Sequence, residues 1–272
     1  MTGPGYVDAH VHLRDAGGLA DIKNAGVIAV RDAGTKDSVG LRISGPDATT
    51  VVSAGWALCR RGGYGSLFGV SLDTREEIAG EILKLKQAGA GIIKVIASGM
   101  VSLKRPGEIT AGGFGRDELR FIVETARTNG LEVMAHANGE AAIVNAAEAG
   151  VRSVEHGFFM TDTALESLQA NGVFWVPTVG ALQRAADQPD VGHEGKLFVE
   201  RTIDRHLALV RKAFAMRVLL AIGTDAVLPD RRYKSIYEAE ISYFRMAGIP
   251  GDAVLAIACE GGKKLIGLKE KA

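Results

Sequence analysis

Two histidines separated by one residue, His10 and His12 in YVDAHVHLRD, are the first side chains whose type and spacing could do chemistry. On an extended strand, residues i and i+2 point to one face, so these imidazoles can share a metal ion. Such a pair is weak evidence by itself. His136 in VMAHAN, His156 in SVEHG and Asp225 in AIGTDA strengthen it, because each closes a short apolar run. Any one of these histidines alone reads as a satisfied structural residue. Four of the chain's six histidines in the same kind of place, joined by an aspartate, read as a shared metal site. Imidazole and carboxylate ligands suit zinc, manganese, iron and cobalt alike.

Lys94 lies inside an apolar run, GIIKVIASG, where a charged amine is costly to bury. Either it snorkels or pairs with an anion, or it is neutral and has reacted with carbon dioxide. The resulting carbamate would be an anionic bidentate oxygen ligand able to bridge two divalent metals. His193 and His206 fall in the polar segment before the last apolar run and are read as structural.

Eight short runs rich in Val and Ile predict the strands that must position these groups: 6–12, 27–32, 48–54, 91–97, 131–137, 152–157, 173–178 and 218–224. Such runs suit strands covered on both faces. Amphipathic stretches over 73–89, 116–130, 139–150 and 161–172 predict helices between them. Asp73 or Thr74 can cap the first helix, Glu76 and Glu77 stand in its first turn, and Gly89 closes it. Gly130, Gly150 and Gly172 fall where the other three helices end. Strands alternating with helices imply a parallel sheet with right-handed crossovers. Eight of them predict an α/β fold, a (β/α)8 TIM barrel forming a single domain over 1–272, because closure leaves no open edge. An open doubly wound sheet is the alternative. In a barrel, functional groups gather at the C-terminal ends of the strands, where the candidate ligands fall. The segments 98–116, 178–200 and 226–235 are expected to shape the pocket there.

Composition narrows the classes. Lysines plus arginines equal aspartates plus glutamates, 32 against 32, which leaves no basic excess for nucleic acid. No run of about twenty apolar residues is present, so no membrane partner is expected. The first residues, MTGPGYVDAHVHLRD, have neither a basic start nor an apolar core, so no signal peptide is expected. Cys59 and Cys259 stand far apart without a paired motif and read as reduced thiols of a cytoplasmic protein. The expected partner is a small-molecule substrate, with a homo-oligomer also possible.

Taken in order, PGYVDAHVHLRD, VRDAGT, GIIKVIASG, RDELRFIVETARTNGLEVMAHANG, AGVRSVEHG and IGTDA resemble the amidohydrolase superfamily over nearly the whole chain. The resemblance is to its two-metal branch with a carboxylated lysine, and within that to the prolidase-like, imidazolonepropionase-related group. Members of this group include zinc dipeptidases acting on Xaa-Pro dipeptides and on N-acyl amino acids. The resemblance implies two divalent ions, zinc first among them. His10, His12 and Asp225 would hold the more buried ion, His136 and His156 the second, and carboxylated Lys94 would bridge them. A hydroxide between the metals would attack an amide carbonyl, with Asp225 as general base and then acid. His156 or a neighbouring loop donor would steady the oxyanion.

The chain departs from its relatives in three places. Relatives carry a small β-sandwich built from segments before the first strand and after the last helix. This chain is expected to lack it, either naturally or as a piece of a longer protein. Relatives have HAHG where this chain has His136-Ala137-Asn138-Gly139, and GGHG where it has Gly62-Gly63-Tyr64-Gly65. Asn138 and Tyr64 are therefore candidate substrate contacts. Arg14 is a third, because in cyclic amidases such as dihydroorotases and hydantoinases this arginine holds a substrate carboxylate bidentately. Its structural alternative is an ion pair with Asp15 or Asp32. Cyclic-amide hydrolysis is thus the second reading. A single-metal deaminase with an unmodified Lys94 and a barrel without catalysis follow it.

Overall fold

Because the helices cover their outer faces, the apolar runs become parallel strands wherever neighbouring backbones can pair. The computed structural model describes residues 5–43, 49–66 and 68–268. In chain order the elements are β1 (Tyr6–Leu13), α1 (Gly18–Asn24), β2 (Val27–Asp32), β3 (Thr50–Ser53), β4 (Ala57–Arg60), β5 (Gly69–Leu72) and α2 (Arg75–Gln87). Then follow β6 (Ile92–Ile96), α3 (Arg116–Thr128), β7 (Glu132–Ala137), α4 (Glu140–Ala149), β8 (Ser153–His156), α5 (Asp162–Ala170) and β9 (Phe174–Val176). The chain closes with α6 (Val179–Ala186), α7 (His193–Ala215), β10 (Ala226–Leu228), α8 (Tyr233–Met246), α9 (Gly251–Ala256) and α10 (Gly262–Ile266).

Every strand ladder is parallel, in the orders β10-β1-β2-β3 and β5-β4-β6-β7-β8-β9. Two seams join these sheets. At the first, the Ala54 amide donates to Asp32 O and the Gly91 amide to Ser53 O, so one stave begins as β3 beside β2 and ends as β4 beside β6. At the second, the Trp175 amide donates to Leu219 O and the Ala9 amide to Ile222 O, which sets residues 219–222 between β9 and β1. The result is a closed barrel whose third and eighth staves are broken. The eighth resumes as β10 after Gly223–Asp225.

Seven of the eight expected strands are regular strands, the third as 50–53, with residue 48 outside those described. The eighth, 218–224, forms only an isolated bridge, Trp175 with Leu220. Its irregularity has a cause: the Thr224 amide and hydroxyl both donate to the buried Asp8 carboxylate rather than to a neighbouring strand. All four expected helices form, and the first carries a capping box between Thr74 and Glu77. Not expected from the sequence are β4, β5, β10, α1 and the helices α6 to α10. α7 fills most of the segment read as polar connection, burying Val199, Ile203, Leu207 and Val210 at helical spacing. Both cysteines are free thiols. No helix among the described residues is long and apolar enough to cross a membrane.

The C-terminal helices seal the N-terminal end of the barrel. Leu265 of α10 packs with Ala9, Phe174, Val176 and Ala221 in one buried cluster. The approach is close: a Cβ on Gly262 would lie 2.5 Å from Val7 Cβ, and one on Gly261 2.6 Å from Leu220 O. Only glycine permits this contact. Gly262→Ala is therefore expected to destabilise the protein by about 1–3 kcal/mol, the usual cost of overpacking. A thermal or urea denaturation midpoint equal to wild type would contradict it.

Candidate functional site

His10 and His12 stand on β1, and the bend that interrupts the eighth stave aims Asp225 at them. His10 Nε2 lies 3.4 Å and His12 Nε2 3.2 Å from Asp225 Oδ1. One ligand atom from each of the three residues falls within 4.8 Å of the others. His136 ends β7 and His156 ends β8, with ring centroids 4.6 Å apart, and His156 is 5.1 Å from His10. Lys94, in mid-β6, is only 3% exposed, and its amine makes no hydrogen bond or ion pair among the described residues. All six line one small cavity of about 30 Å³. The tightly converging set among histidines and carboxylates is His10, His12 and Asp225; His136 and His156 share the cavity wall without joining it.

Partners behind the rings decide which nitrogen faces the cavity. His10 Nδ1 is 2.7 Å from Glu155 Oε2. Burial alone would raise the Glu155 carboxyl, but Arg31 and His10 outweigh it and hold it at about 2. An ionised carboxylate only accepts, so His10 Nδ1 carries the proton and its Nε2 lone pair is bare. That Nε2 is the one buried side-chain polar atom without a hydrogen-bond partner among the described residues. His12 Nδ1 donates to Gly34 O at 2.6 Å, which likewise frees Nε2. His136 is turned the other way, because its Nε2 faces Gly99 O at 3.0 Å and leaves Nδ1 free. His156 Nδ1 meets the Thr178 hydroxyl at 2.7 Å.

Electrostatics keep His10, His136, His156 and Asp225 in ligand form, with His12 the exception. Burial, helped by the Lys94 charge, lowers His10 to about 4 and His136 to about 3, and burial holds His156 well below its usual value. For His12 burial also works downward, but the Asp225 carboxylate reverses the sign and raises it. Burial would raise Asp225; His10, His12 and His156 outweigh that and hold it well below the usual carboxylate range. Burial brings Lys94 down to about 8, against the upward pull of Glu155 and Asp225. A lysine amine near neutrality is available for reaction with carbon dioxide. Neutral imidazoles, a carboxylate and an orphaned lone pair fit a divalent cation.

The backbone carries strain at the same place. His156, Asp225 and Thr178 sit in the left-handed region at φ 67°, 53° and 48°. Each non-glycine residue held there costs on the order of 1 kcal/mol, and such residues cluster at functional sites. Glu240 of α8 secures Thr178 indirectly by accepting the amides of Val179 and Gly180 at 2.7 and 2.8 Å, which clamps the start of α6.

Outside the small cavity opens a larger one of about 660 Å³. Its wall combines the 100–110 strap with the α6–α7 junction, including Met100, Leu103, Phe158, Leu182 and Val191. Lys104 is its one cation among the described residues. Tyr64 lines both cavities and stacks 5.0 Å from the His136 ring. Burial and the Asp225 charge push its phenol upward. Asn138 lines the outer cavity, but its side chain is engaged: Oδ1 accepts the Phe158 amide, and Nδ2 donates to Gly99 O, the carbonyl that also faces His136 Nε2. Arg14 is exposed and lines neither cavity, and no ion pair joins it to Asp15 or Asp32. His206 is buried, with Nε2 3.3 Å from Pro177 O.

Sequence reasoning missed the buried pair Arg31 and Glu155, joined at 2.8 Å. Arg31 also donates to Ala9 O and Ser153 Oγ. The signal was present, because both are charges inside predicted strands, the argument already applied to Lys94.

A sequence profile described as Amidohydrolase family matches residues 2–272. An ochratoxinase of Aspergillus niger is 30% identical over 155 residues, 56% of this chain and 32% of that protein. The chain thus spans about a third of that curated relative. An uncharacterized protein of Mycobacterium tuberculosis is 25% identical over 97% of this chain and 74% of its own. Among solved structures, a Xaa-Pro dipeptidase with bound methionine superposes at TM-score 0.81, with 22% identity, 98% of this chain and 76% of that one. The A. niger ochratoxinase does so at 0.79, with 22% identity, 97% of this chain and 71% of its own.

Three buried histidines, His10, His136 and His206, have pKa values lowered to about 4, 3 and 4 from 6.5. Below pH 6.5 the unfolded chain binds protons that the folded chain refuses, so stability falls with pH. Metal-free protein is expected to lose denaturation midpoint steadily from pH 6.5 to about 4. Asp8 and Glu240, raised by burial to about 6 and about 7, pull the other way over part of that window. The histidines outnumber them, so a flat midpoint would contradict the buried neutral rings.

Proposed function

Since the chain belongs to the amidohydrolase family, we propose that it is a metal-dependent hydrolase that cleaves an amide C–N bond in a dipeptide of the Xaa-Pro kind or in an N-acyl amino acid. The observation that carries this reading is the convergence of His10, His12 and Asp225, with His10 Nε2 left without a hydrogen-bond partner among the described residues. In this reading residues 1–272 act as one amidohydrolase-type barrel on a small molecule. His10, His12 and Asp225 would hold one divalent ion, and His136 and His156 a second, with Lys94 as a carbamate ligand to both. Zinc is the first choice for this nitrogen and carboxylate set.

Such ions supply Lewis acidity and bring the pKa of water from about 15.7 toward 7. The chain's residues do the rest. Asp225, ionised and facing the cavity, accepts a proton from the attacking water and returns it to the departing nitrogen. The outer cavity takes the substrate's side chains, and its apolar wall suits an apolar acyl or amino-acid group. Lys104 is placed there to meet a substrate carboxylate. The names of two structural neighbours, a Xaa-Pro dipeptidase and a prolidase complexed with N-methylphosphonate-L-proline, support a peptide-type bond. The cyclic-amide alternative leaned on Arg14, which stands outside both cavities.

A stereochemically complete panel of dipeptides and N-acyl amino acids, assayed on protein of measured metal content, tests the proposal. Turnover confined to dihydroorotate or hydantoins would replace it. Lys94→Ala is expected to bind substantially less metal and lose most activity; two retained metals with normal turnover would sink the bridging role. For Asp225→Asn, kcat should drop by about 10²–10⁴-fold. Unchanged turnover would remove Asp225 from proton transfer.

A further inference from the structure

Eleven residues line the inner cavity, and every hydrogen-bonding side chain among them is a candidate ligand except Tyr64. The others are Ala33, Ala57, Phe68 and Ile96, which carry no donor. Tyr64 also belongs to the small group, with His136, His156 and Asp225, that lines both cavities. A scissile carbonyl reaching the metals from the outer cavity therefore passes its ring. The phenol hydroxyl makes no hydrogen bond among the described residues.

The position is built. The ring rests on His136 at 5.0 Å and on Phe68 at 5.7 Å. Behind it, backbone meets backbone without side chains between: a Cβ on Gly112 would lie 2.7 Å from the Tyr64 amide nitrogen, and one on Gly63 2.9 Å from Gly112 Cα. Gly112 has φ 128°, which a residue with a Cβ rarely adopts. The Tyr64 loop is thus docked on the strap that walls the outer cavity.

Resting on the amide-hydrolase reading above, we propose that Tyr64 is a catalytic residue whose hydroxyl donates a hydrogen bond to the carbonyl oxygen as it becomes an oxyanion. Water oxygen bonds to the carbonyl carbon, the carbonyl π pair moves to its oxygen, and that oxygen accepts from Tyr64. When the C–N bond breaks, the pair returns to carbon and the proton held by Asp225 goes to nitrogen. Tyr64 keeps its own proton throughout. A preorganised donor of this kind contributes most where charge develops, and its loss costs about 10²–10³ in kcat.

The test is Tyr64→Phe, which keeps the ring and its stacking and removes only the oxygen. We expect kcat on the best amide of the panel to fall about 10²-fold, with KM, metal content and denaturation midpoint unchanged. Calorimetric affinity for the N-methylphosphonate derivative of that amide's amino acid, a tetrahedral anion, should fall by a similar factor. Affinity for the N-acetyl counterpart should stay as in wild type. A variant with wild-type kcat and probe affinity overturns the proposal, and so does equal loss of both ligands, which marks a packing role. Wild-type protein that turns over no amide overturns the function reading itself, and this assignment with it.

Discussion

The structure depends on a charge pair placed where a barrel usually keeps aliphatic side chains. Arg31 on β2 and Glu155 on β8 are both fully buried, 2.8 Å apart. Taking two such charges out of water costs several kcal/mol each, which their attraction repays only with excellent geometry and further hydrogen bonds. Arg31 has these from Ala9 O and Ser153 Oγ, and Glu155 from His10. The return on this arrangement is chemical. Were either charge removed, the proton on His10 would lose its director, and the nitrogen meant for a cation would no longer be specified. The pair ties β1, β2 and β8 together at the depth of the site.

The barrel is irregular in just the places the site requires. The eighth stave breaks because Asp8 takes Thr224, and that break turns Asp225 inward to donate its amide to His10 O. The third stave changes partner between β3 and β4, and the chain beyond it carries the loop with Tyr64. An unbroken ladder at either seam would satisfy more backbone groups and position neither residue. The left-handed conformations of His156, Asp225 and Thr178 point the same way. Each costs conformational energy that the surrounding hydrogen bonds offset.

How much was legible in the sequence follows from which interactions are local. The strands and the four helices between β5 and β9 announce themselves by apolar period and capping residues. The candidate ligands His136, His156 and Asp225 do so because each closes an apolar run. Lys94 was legible as a charge in an apolar run, and Arg31 and Glu155 carried the same signal without a partner to explain it. Pairing them needs the barrel's closure, which lies beyond any one segment. Asn138 shows the opposite failure. Its type and position suggested substrate reading, yet its amide is spent on the Phe158 amide and Gly99 O. β4 and β5 escaped notice because four-residue strands among glycines have no period to read. The eighth strand was overread, since an apolar run says nothing of a carboxylate on the neighbouring stave, Asp8 of β1, that takes the Thr224 amide.

The bracing of His156 extends this logic outward. Its Nδ1 meets Thr178, whose strained backbone precedes α6, and Glu240 holds the first amides of that helix. Arg184, one turn further along α6, donates to Thr224 O and Asp225 O. One helix thus braces ligands from the sixth and eighth staves while Ala181, Leu182 and Ala185 on it line the outer cavity. A side chain that substrate pushes aside on α6 is mechanically connected to the geometry of both His156 and Asp225. The wall of the outer cavity and the positions of His156 and Asp225 are therefore set by a common element. A change made on this helix reaches His156 and Asp225, whereas one on the 100–110 strap reaches the other side of the cavity. There Thr110 packs on Gly99, whose carbonyl faces His136 Nε2, and Gly112 just beyond it packs on the Tyr64 loop.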